Sequence, residues 1–323
     1  MQIMNFFEVK PGSLRAPVLI VGVLDGIHQG HQQLISLGKE LCGQVQGELA
    51  VAVFSPHPMQ VLKGQSPPFI TSLATRLALL ERAGVDVALL IHFNREVTKI
   101  PAQVFISQYL VQNLGIRGIV AGANFHFGYQ GEGTVALLQA MAETCHYQVK
   151  IAELLKLPDG TPISSSNIRQ AVQSGDMGRA RAMLGRPFTL LGKVIKGEAR
   201  ARTLGFPTAN LELMEKLVPA QGVYGGYTLI AGETYPALIS IGTAPTFNSD
   251  GLLKIEVHLR HFAGDLYGKM IETCMIEKIR EQIKFPSKES LCCQIEADCR
   301  YLDSHWDSWF GELRQSAATA CWW

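Results

Sequence analysis

The chain has 323 residues, which favours two domains because single domains usually hold about 100 to 200 residues. Hydrophobic residues make up 47% of the chain and charged residues 18%, so the composition is that of a globular protein and excludes a disordered one. The net charge is only +1, so the protein has no broad positive field that would attract nucleic acid or an anionic membrane. We therefore expect any anionic ligand to be held by local groups.

The cysteines and the N-terminal segment indicate the compartment. The seven cysteines are odd in number and follow no repeated spacing, which favours reduced thiols over a disulfide framework. The segment MQIMNFFEVKPG lacks the basic-then-apolar order of a signal peptide, and no apolar run approaches the roughly 18 residues of a membrane-spanning helix. These features predict a cytoplasmic protein.

Apolar runs alternate with helical patterns through the first part of the chain. The predicted strands are residues 17–24, 49–54, 86–93 and 116–122, and the predicted helices are residues 28–42, 76–84, 105–115 and 167–184. This alternation predicts a parallel α/β sheet over a domain of residues 1–185. Ligands of such sheets bind beyond the carboxyl ends of the strands, so the loops after Val23, Phe54 and Ala121 are the expected sites of chemistry.

The pattern changes at about residue 186. Short runs punctuated by glycine predict strands at residues 188–197, 222–232, 234–242 and 253–262, and helical periodicity returns at residues 286–302. These features predict a second, β-rich domain of residues 186–323 with a C-terminal helix. The tail from Ser304 carries Trp306, Trp309, Trp322 and Trp323. We expect these side chains to pack as part of a terminal helix, and a contact with a partner is the alternative.

The first loop combines glycines with two histidines. Its candidate residues are Gly22, Asp25, Gly26, His28, Gly30 and His31. Free backbone N–H groups and the positive end of a helix dipole point into such a strand-to-helix loop, and glycines let the backbone approach a phosphate closely. Two imidazoles three residues apart can donate hydrogen bonds to one phosphate group. A zinc site is the weaker alternative, because no further ligand lies at zinc spacing, and ordinary surface histidines are another.

A second candidate segment lies at the start of the last predicted helix of the first domain. Ser164, Ser165 and Ser166 precede Arg169, so several hydroxyl donors and a permanent cation stand together at a helix start. One serine could instead simply cap the helix. The H-x-G-H loop and the S-S-S-x-I-R helix start together resemble the nucleotidylyltransferases, and the resemblance implies that the two pieces hold ATP and release pyrophosphate.

The β-rich half has its own candidate site at Gly205-Phe206-Pro207-Thr208-Ala209-Asn210, which follows Gly192 to Gly197. A hydroxyl and an amide two residues apart suit a hard cation or a phosphate, although the composition would equally describe a turn. The motif is similar to the signature of riboflavin kinases. Further matching segments follow in order at residues 219–224, 241–247, 256–258, 265–268, 278–281 and 284–285.

With the N-terminal motifs, the chain resembles the prokaryotic bifunctional riboflavin kinase and FAD synthetase family over roughly residues 15–300. The resemblance implies a Rossmann-like nucleotidylyltransferase domain followed by a six-stranded riboflavin kinase β-barrel with a terminal helix. It implies that riboflavin and ATP give FMN, that FMN and ATP give FAD and pyrophosphate, and that both reactions use Mg²⁺. It implies no oligomeric state.

The resemblance also implies roles for single residues. Thr208 and Asn210 would bind Mg²⁺ and nucleotide phosphates, Glu256 would be the base toward the riboflavin 5′-hydroxyl, and Arg280 would contact the flavin. Considered without the resemblance, Glu256 is more simply a solvated strand residue. His28, His31, Ser165 and Arg169 would act in adenylyl transfer. The remaining expected substrate contacts are Gly22, Asp25, Gly26, Gly30, His57, Asn124, Ser164, Ser166, Gly197 and Phe206.

Several positions depart from the family pattern near these sites. They are Leu24, Ser55, Asn124, His126 and Gly131 in the first half, and Ala201, Ala244, Arg260 and His261 in the second. The loss of arginine at His126 and of a basic residue at Gly131 removes fixed positive charge, so we expect weaker binding of ATP or flavin rather than loss of chemistry. The alternatives are that only one activity is retained, or that the chain binds flavin or nucleotide without turnover.

Overall fold

The computed structural model describes residues 1–197, 205–214, 217–243 and 253–319. Contacts divide the chain into two compact units, one of Met1–Pro67 with Thr71–Ser164 and one of Pro68–Ile70 with Ser165–Trp323. Four residues named above, Ala201, Ala244, Trp322 and Trp323, lie outside the described residues. No helix within the described residues is both long and apolar enough to cross a membrane.

The first unit is built on a six-stranded sheet in the order β1-β4-β3-β2-β5-β6, in which every neighbouring pair is parallel. The strands are β1 (Gln2–Asn5), β2 (Val18–Gly22), β3 (Leu49–Ser55), β4 (Val87–His92), β5 (Gly118–Gly122) and β6 (Gln148–Ala152). The helices are α1 (Gln29–Val45), α2 (Pro58–Lys63), α3 (Leu73–Arg82), the short α4 (Ala102–Val104) and α5 (Val135–Cys145).

The predicted parallel sheet is confirmed, and it brings three loops to one edge. β3, β2 and β5 are adjacent in the sheet, so the loops that follow Ser55, Gly22 and Gly122 leave the same carboxyl edge side by side. Val18, Leu19 and Ile20 of β2 are fully buried, as the continuous apolar run indicated.

Two elements of the first unit differ from the sequence prediction. β1 pairs with β4 at the edge of the sheet, but its residues are mostly exposed and carry no apolar alternation that could reveal a strand. The predicted helix at residues 105–115 is a π-helix over Phe105–Asn113 that buries Phe105, Ile106 and Leu110. A run of about ten residues is too short for apolar spacing to separate the two hydrogen-bond periods.

The second unit contains a closed six-stranded antiparallel barrel in the order β10-β11-β8-β7-β12-β9. Its strands are β7 (Phe188–Ile195), β8 (Thr208–Leu213), β9 (Gly222–Ile230), β10 (Glu233–Thr243), β11 (Leu253–Leu259) and β12 (Met270–Arg280). The six-stranded barrel implied by the resemblance is therefore confirmed. Periodicity alone had missed β8 and β12.

The predicted helix at residues 167–184 is wrong in its form, because it is two helices, α6 (Ser165–Ser174) and α7 (Met177–Leu184). Gly175 adopts a left-handed φ of 82°, and the Asp176 side chain accepts a hydrogen bond from the Arg179 amide to start α7. The Ala220 amide donates to the Val172 carbonyl at 3.3 Å, so this helix pair joins the barrel unit. The division at Ser164–Ser165 follows from these contacts, and the domain boundary at residue 186 stays a prediction.

A long helix, α8 (Lys288–Thr319), packs on the outer face of the barrel. The cluster between them combines barrel and helix residues, namely Tyr227, Leu238, Cys274, Ile276, Cys299, Leu302 and Trp309. Trp306 packs against the same cluster. The part of the tail that the structure describes thus covers the barrel, as expected of a terminal helix.

Candidate functional site

The loop of residues 22–31, here called the histidine loop, brings its two imidazoles together. His28 occupies the N-cap position of α1, and the His28 and His31 rings stack with centroids 3.6 Å apart. Gly30 lies against the His28 ring, because a Cβ there would come within 3.2 Å of that ring. The stacked rings therefore stand at the N-terminus of a 17-residue helix, where backbone N–H groups and the helix dipole favour an anion.

The backbone of the histidine loop is held in unusual conformations. Leu24, Gly26 and Ile27 have positive φ values of 50°, 83° and 40°. Left-handed backbone is uncommon for leucine and strained for β-branched isoleucine, so surrounding contacts must maintain it. Leu24 and Ile27 supply some of these contacts, since both are essentially fully buried.

A buried polar network fixes the same loop. The Thr71 amide donates to Asp25 Oδ1 at 3.1 Å, and the Gly26 amide donates to Thr71 Oγ1 at 3.1 Å. Asp25 is only 1% exposed. The Asp25 carboxylate therefore accepts a hydrogen bond from the residue that precedes the N-cap of α3. The expected contact of Asp25 with substrate stays a prediction.

Arg76 is a residue that supports the histidine loop and that sequence reasoning missed. Its side chain is 1% exposed and donates from Nη1 to the Val23 carbonyl at 2.6 Å. Burial lowers the pKa of Arg76, and the nearby Asp25 carboxylate opposes that change. The signal in the sequence is an arginine on the apolar face of a helical run, which a buried partner must explain.

The two neighbouring loops contribute His57 and Asn124. His57 is 9% exposed and caps α2, where its Nδ1 accepts a hydrogen bond from the Met59 amide at 3.1 Å. Asn124 is exposed just after β5. His126 Nδ1 lies 3.3 Å from the Gly131 carbonyl oxygen. Two of the positions that depart from the family pattern, His126 and Gly131, are therefore in direct contact.

The serine segment straddles the two compact units. Within the first unit, a Cβ on Gly30 would lie 3.9 Å from the Ile163 carbonyl, so the residues leading to Ser164 run beside the histidine loop. Ser165 and Ser166 begin α6 in the second unit. Arg169, also there and 9% exposed, donates from Nε to the Pro68 carbonyl at 2.7 Å.

The barrel assembles its predicted residues by strand register. Asn210 of β8 pairs directly with Glu256 of β11, and Thr208 pairs with His258. Residues two apart on a strand share a face, so these four side chains belong to one face of the barrel. We call Thr208, Asn210, Glu256 and His258 the barrel patch.

Gly197 and Phe206 flank the barrel patch. A Cβ at Gly197 would overlap the Asn210 amide nitrogen, so only glycine leaves that side chain in place. The Phe206 ring meets the His258 ring edge to face with centroids 5.7 Å apart. Gly197 therefore lies beside Asn210, a predicted ligand of the cation, and Phe206 lies beside His258 of the barrel patch.

His258 was not among the predicted site residues, although alternation places it on the face of Glu256. It is 9% exposed, and its Nδ1 lies 2.9 Å from the Pro207 carbonyl. Its Nε2 is buried and has no hydrogen-bond partner among the described residues. Burial, aided by the positive charge of Arg260, lowers the pKa of His258 against the opposing effect of the Pro207 hydrogen bond.

A cavity of about 580 Å³ opens beside Thr208. Strand residues form one side of it and the segment after β11 forms the other. The lining residues are Val194, Pro207, Thr208, Ala209, Val257, Leu259, Phe262, Ala263, Gly264, Asp265, Leu266 and Tyr267. Apolar side chains line the cleft together with the polar Thr208, Asp265 and Tyr267, a combination that suits a small molecule carrying both apolar and polar groups.

Arg280 is held by α8. Its Nε lies 3.0 Å and its Nη2 2.7 Å from Asp298 Oδ2, and Asp298 is only 3% exposed. The guanidinium also lies 5.8 Å from the centre of the Phe285 ring. This bidentate ion pair joins the end of β12 to α8, and the expected flavin contact of Arg280 stays a prediction.

The fold and the two groups of residues define a class of protein: a parallel α/β nucleotidylyltransferase-like domain joined to an antiparallel barrel that carries hydroxyl, amide and carboxylate groups on one face. Two family models match the chain, FAD synthetase over residues 10–167 and riboflavin kinase over residues 184–305. The chain belongs to the family of bifunctional riboflavin kinase/FMN adenylyltransferases.

Relatives of the same description cover nearly the whole chain. The Pseudomonas fluorescens protein is 35% identical over 88% of this chain and 91% of its own length, and the Bacillus subtilis protein is 36% identical over 87% and 90%. Among solved structures, a Streptococcus pneumoniae chain described as a macrolide-efflux protein is 31% identical, with a TM-score of 0.85 over 94% of this chain and 98% of that one.

Proposed function

We propose that the barrel domain phosphorylates riboflavin with ATP to give FMN and ADP, and that the α/β domain transfers AMP from a second ATP to FMN to give FAD and pyrophosphate. The observation that carries the proposal is the placement of Thr208, Asn210 and Glu256 on one barrel face by strand register. The relatives described as bifunctional riboflavin kinase/FMN adenylyltransferases match both halves of the chain and support this proposal. We therefore do not propose macrolide efflux, the activity in the description of the Streptococcus pneumoniae structure, for this chain.

In the kinase half, Glu256 is proposed to orient the riboflavin 5′-hydroxyl and to accept its proton. A carboxylate within hydrogen-bond reach of an alcohol can do both as the oxygen attacks the γ-phosphate. Glu256 is partly buried in the middle of β11, directly opposite Asn210. Phe206, Gly197 and Arg280 are proposed to line the bound substrates.

The barrel patch fits Mg²⁺ in its chemistry. The Thr208 hydroxyl and the Asn210 amide oxygen are neutral, hard donors two residues apart, and Gly197 keeps the amide from being displaced. Magnesium takes few protein ligands and completes its coordination with phosphate oxygens and water. When bound, Mg²⁺ supplies positive charge that stabilises the charge on the transferred phosphoryl group. The cavity beside Thr208 is proposed to hold the rest of the nucleotide.

In the adenylyl-transfer half, His28 and His31 are proposed to donate hydrogen bonds to the ATP phosphates as charge moves to the leaving pyrophosphate. Their stacking at the N-terminus of α1 supports this role. Ser165 and Arg169 are proposed to act on the same phosphates. The proposed backbone and side-chain contacts to nucleotide or flavin are Gly22, Asp25, Gly26, Gly30, His57, Asn124, Ser164 and Ser166.

The compartment is a separate proposal. The six described cysteines are all free thiols, and they include the fully buried Cys274. Free thiols persist in a reducing environment, which supports a cytoplasmic location.

The test is a product assay on the purified full-length chain with Mg²⁺ and ATP, given either riboflavin or FMN. Chromatography should detect FMN and FAD from riboflavin, and FAD from FMN. If the chain forms FMN from riboflavin but no FAD from either substrate, only the kinase activity is present. If it forms FAD from FMN but no FMN from riboflavin, only the adenylyltransferase activity is present. Binding of flavin and ATP with neither product would overturn the enzymatic proposal in favour of a binding protein.

A further inference from the structure

His258 contacts the segment that leads into Thr208. Its Nδ1 lies 2.9 Å from the Pro207 carbonyl, its ring meets Phe206 edge to face, and it is cross-strand partner to Thr208. The side chain is more than nine-tenths buried. One ring therefore touches or faces three consecutive residues of the Gly205–Asn210 motif.

The proton on this ring can be assigned by chemistry. A carbonyl oxygen only accepts hydrogen bonds, so Nδ1 must carry the hydrogen. Nε2 of the neutral ring is then an acceptor, and no described residue donates to it. The orientation of the ring therefore rests on the Nδ1 bond and on packing against Phe206.

The accepted carbonyl is well placed to control Thr208. The Pro207 C=O and the Thr208 N–H belong to one planar peptide unit, so holding the carbonyl fixes the plane from which the Thr208 side chain projects. Pro207 and Thr208 both line the cavity of about 580 Å³. A rotation of this peptide plane would move a cavity wall and the Thr208 hydroxyl together.

We propose that His258 is a positioning residue for nucleotide binding: its Nδ1–H holds the Pro207–Thr208 peptide plane and thereby places the Thr208 hydroxyl and the adjoining cavity wall. The inference rests on the kinase function proposed above. It assigns His258 no contact with the reacting atoms. The bond from Nδ1 carries the effect, and Nε2 is dispensable for it.

Two substitutions separate the two ring nitrogens. His258→Asn can place an amide N–H near the position of Nδ1, whereas His258→Gln carries its amide near the position of Nε2 and loses the short-range donor. We expect His258→Asn to keep most of the affinity for MgATP. We expect His258→Gln to raise the KM for MgATP about tenfold, equivalent to about 1.4 kcal/mol, with a smaller change in the KM for riboflavin.

The measurements are steady-state FMN formation by the full-length chain and calorimetric binding of a non-hydrolysable ATP analogue with Mg²⁺. His305 of α8 provides a matched control, because its Nδ1 also lies 2.9 Å from a backbone carbonyl, that of Tyr301. His305→Asn and His305→Gln should leave the MgATP constants unchanged. Thermal unfolding of every variant separates loss of stability from loss of affinity.

Each outcome decides the proposal. It is overturned if His258→Gln binds MgATP like wild type while His258→Asn does not, since Nε2 would then be the effective atom. It is also overturned if both variants only lower the melting temperature. A wild-type chain that forms no FMN would count against the proposed kinase function instead, and calorimetry would still report the effect of His258 on nucleotide binding.

Discussion

The histidine loop and the barrel patch reach an ordered site by different routes. The histidine loop is one continuous segment, yet three of its residues have left-handed backbone that a buried network at Thr71 and Arg76 must maintain. The barrel patch lies on two regular strands, and pairing alone sets Asn210 opposite Glu256. The histidine loop therefore depends on the buried residues that support it, whereas the barrel patch depends on the register of strand pairing.

Glu256→Gln should give the largest effect, because it removes the proposed base from the barrel patch without changing its size. FMN formation should fall about a thousandfold, within the usual range for general-base catalysis. ATP binding and FAD formation from FMN should persist, since the change leaves strand pairing intact. Quench-flow or chromatographic rates give the answer, and a variant as fast as wild type would remove Glu256 from the mechanism.

His28→Ala and His31→Ala should each slow FAD formation from FMN about a hundredfold, as loss of one transition-state donor commonly does. Riboflavin phosphorylation should be unchanged. His146, the C-cap of α5 in the same unit, offers a control substitution to alanine. Equal loss of both activities would point to misfolding rather than to chemistry at the histidine loop.

Arg76→Met tests whether the histidine loop depends on its supports. The change leaves the Val23 carbonyl and the Asp25 carboxylate in a buried site without the guanidinium, so unfolding free energy should fall by about 2 to 4 kcal/mol. FAD formation should fall with it. Arg82→Met on the exposed end of the same helix is the control. Denaturant titration and the FAD assay measure both variants. Equal stability and equal FAD formation in Arg76→Met and Arg82→Met would show that the histidine loop does not need this network.

Gly197→Ala tests the barrel patch by steric means. The added Cβ overlaps the Asn210 amide, so the Mg²⁺ concentration for half-maximal FMN formation should rise several-fold, a loss of about 1 kcal/mol. Gly311→Ala in α8 is the control, because a Cβ there meets nothing within 4 Å. Unchanged metal dependence in Gly197→Ala would argue against Asn210 as a ligand.

The smallest effect concerns the limits of the barrel unit. A fragment of residues 186–323 holds all the kinase motifs, and we propose that it forms FMN but not FAD. A fragment beginning at residue 165 also keeps α6 and α7, whose buried residues include Met183 and Leu184. The longer fragment should melt several degrees higher, about 5 °C. Calorimetry measures both melting temperatures. Equal values would show that α6 and α7 do not stabilise the barrel and would support the predicted domain boundary at residue 186.

Local sequence determined much of this protein. Apolar runs such as residues 17–24 located the parallel strands, and the carboxyl-edge rule located the histidine loop, because both depend on short-range patterns. The sequence also showed that Thr208 and Asn210 offer a hydroxyl and an amide two residues apart, but it predicted no strand there, and only the structure places both residues on β8. The resemblance to riboflavin kinases supplied the barrel and the place of Glu256.

Only the tertiary structure decided which polar residues support these sites. Arg76 meets Val23 across 53 positions of sequence, and His258 meets Pro207 across 51. Arg280 is held by Asp298 of a different element, and α6 with α7 joins the barrel unit despite following the α/β pattern. A periodic pattern shows that a residue faces inward but not what it meets there, because partners far apart in sequence are chosen by strand order, register and the requirement that buried polar groups be hydrogen-bonded.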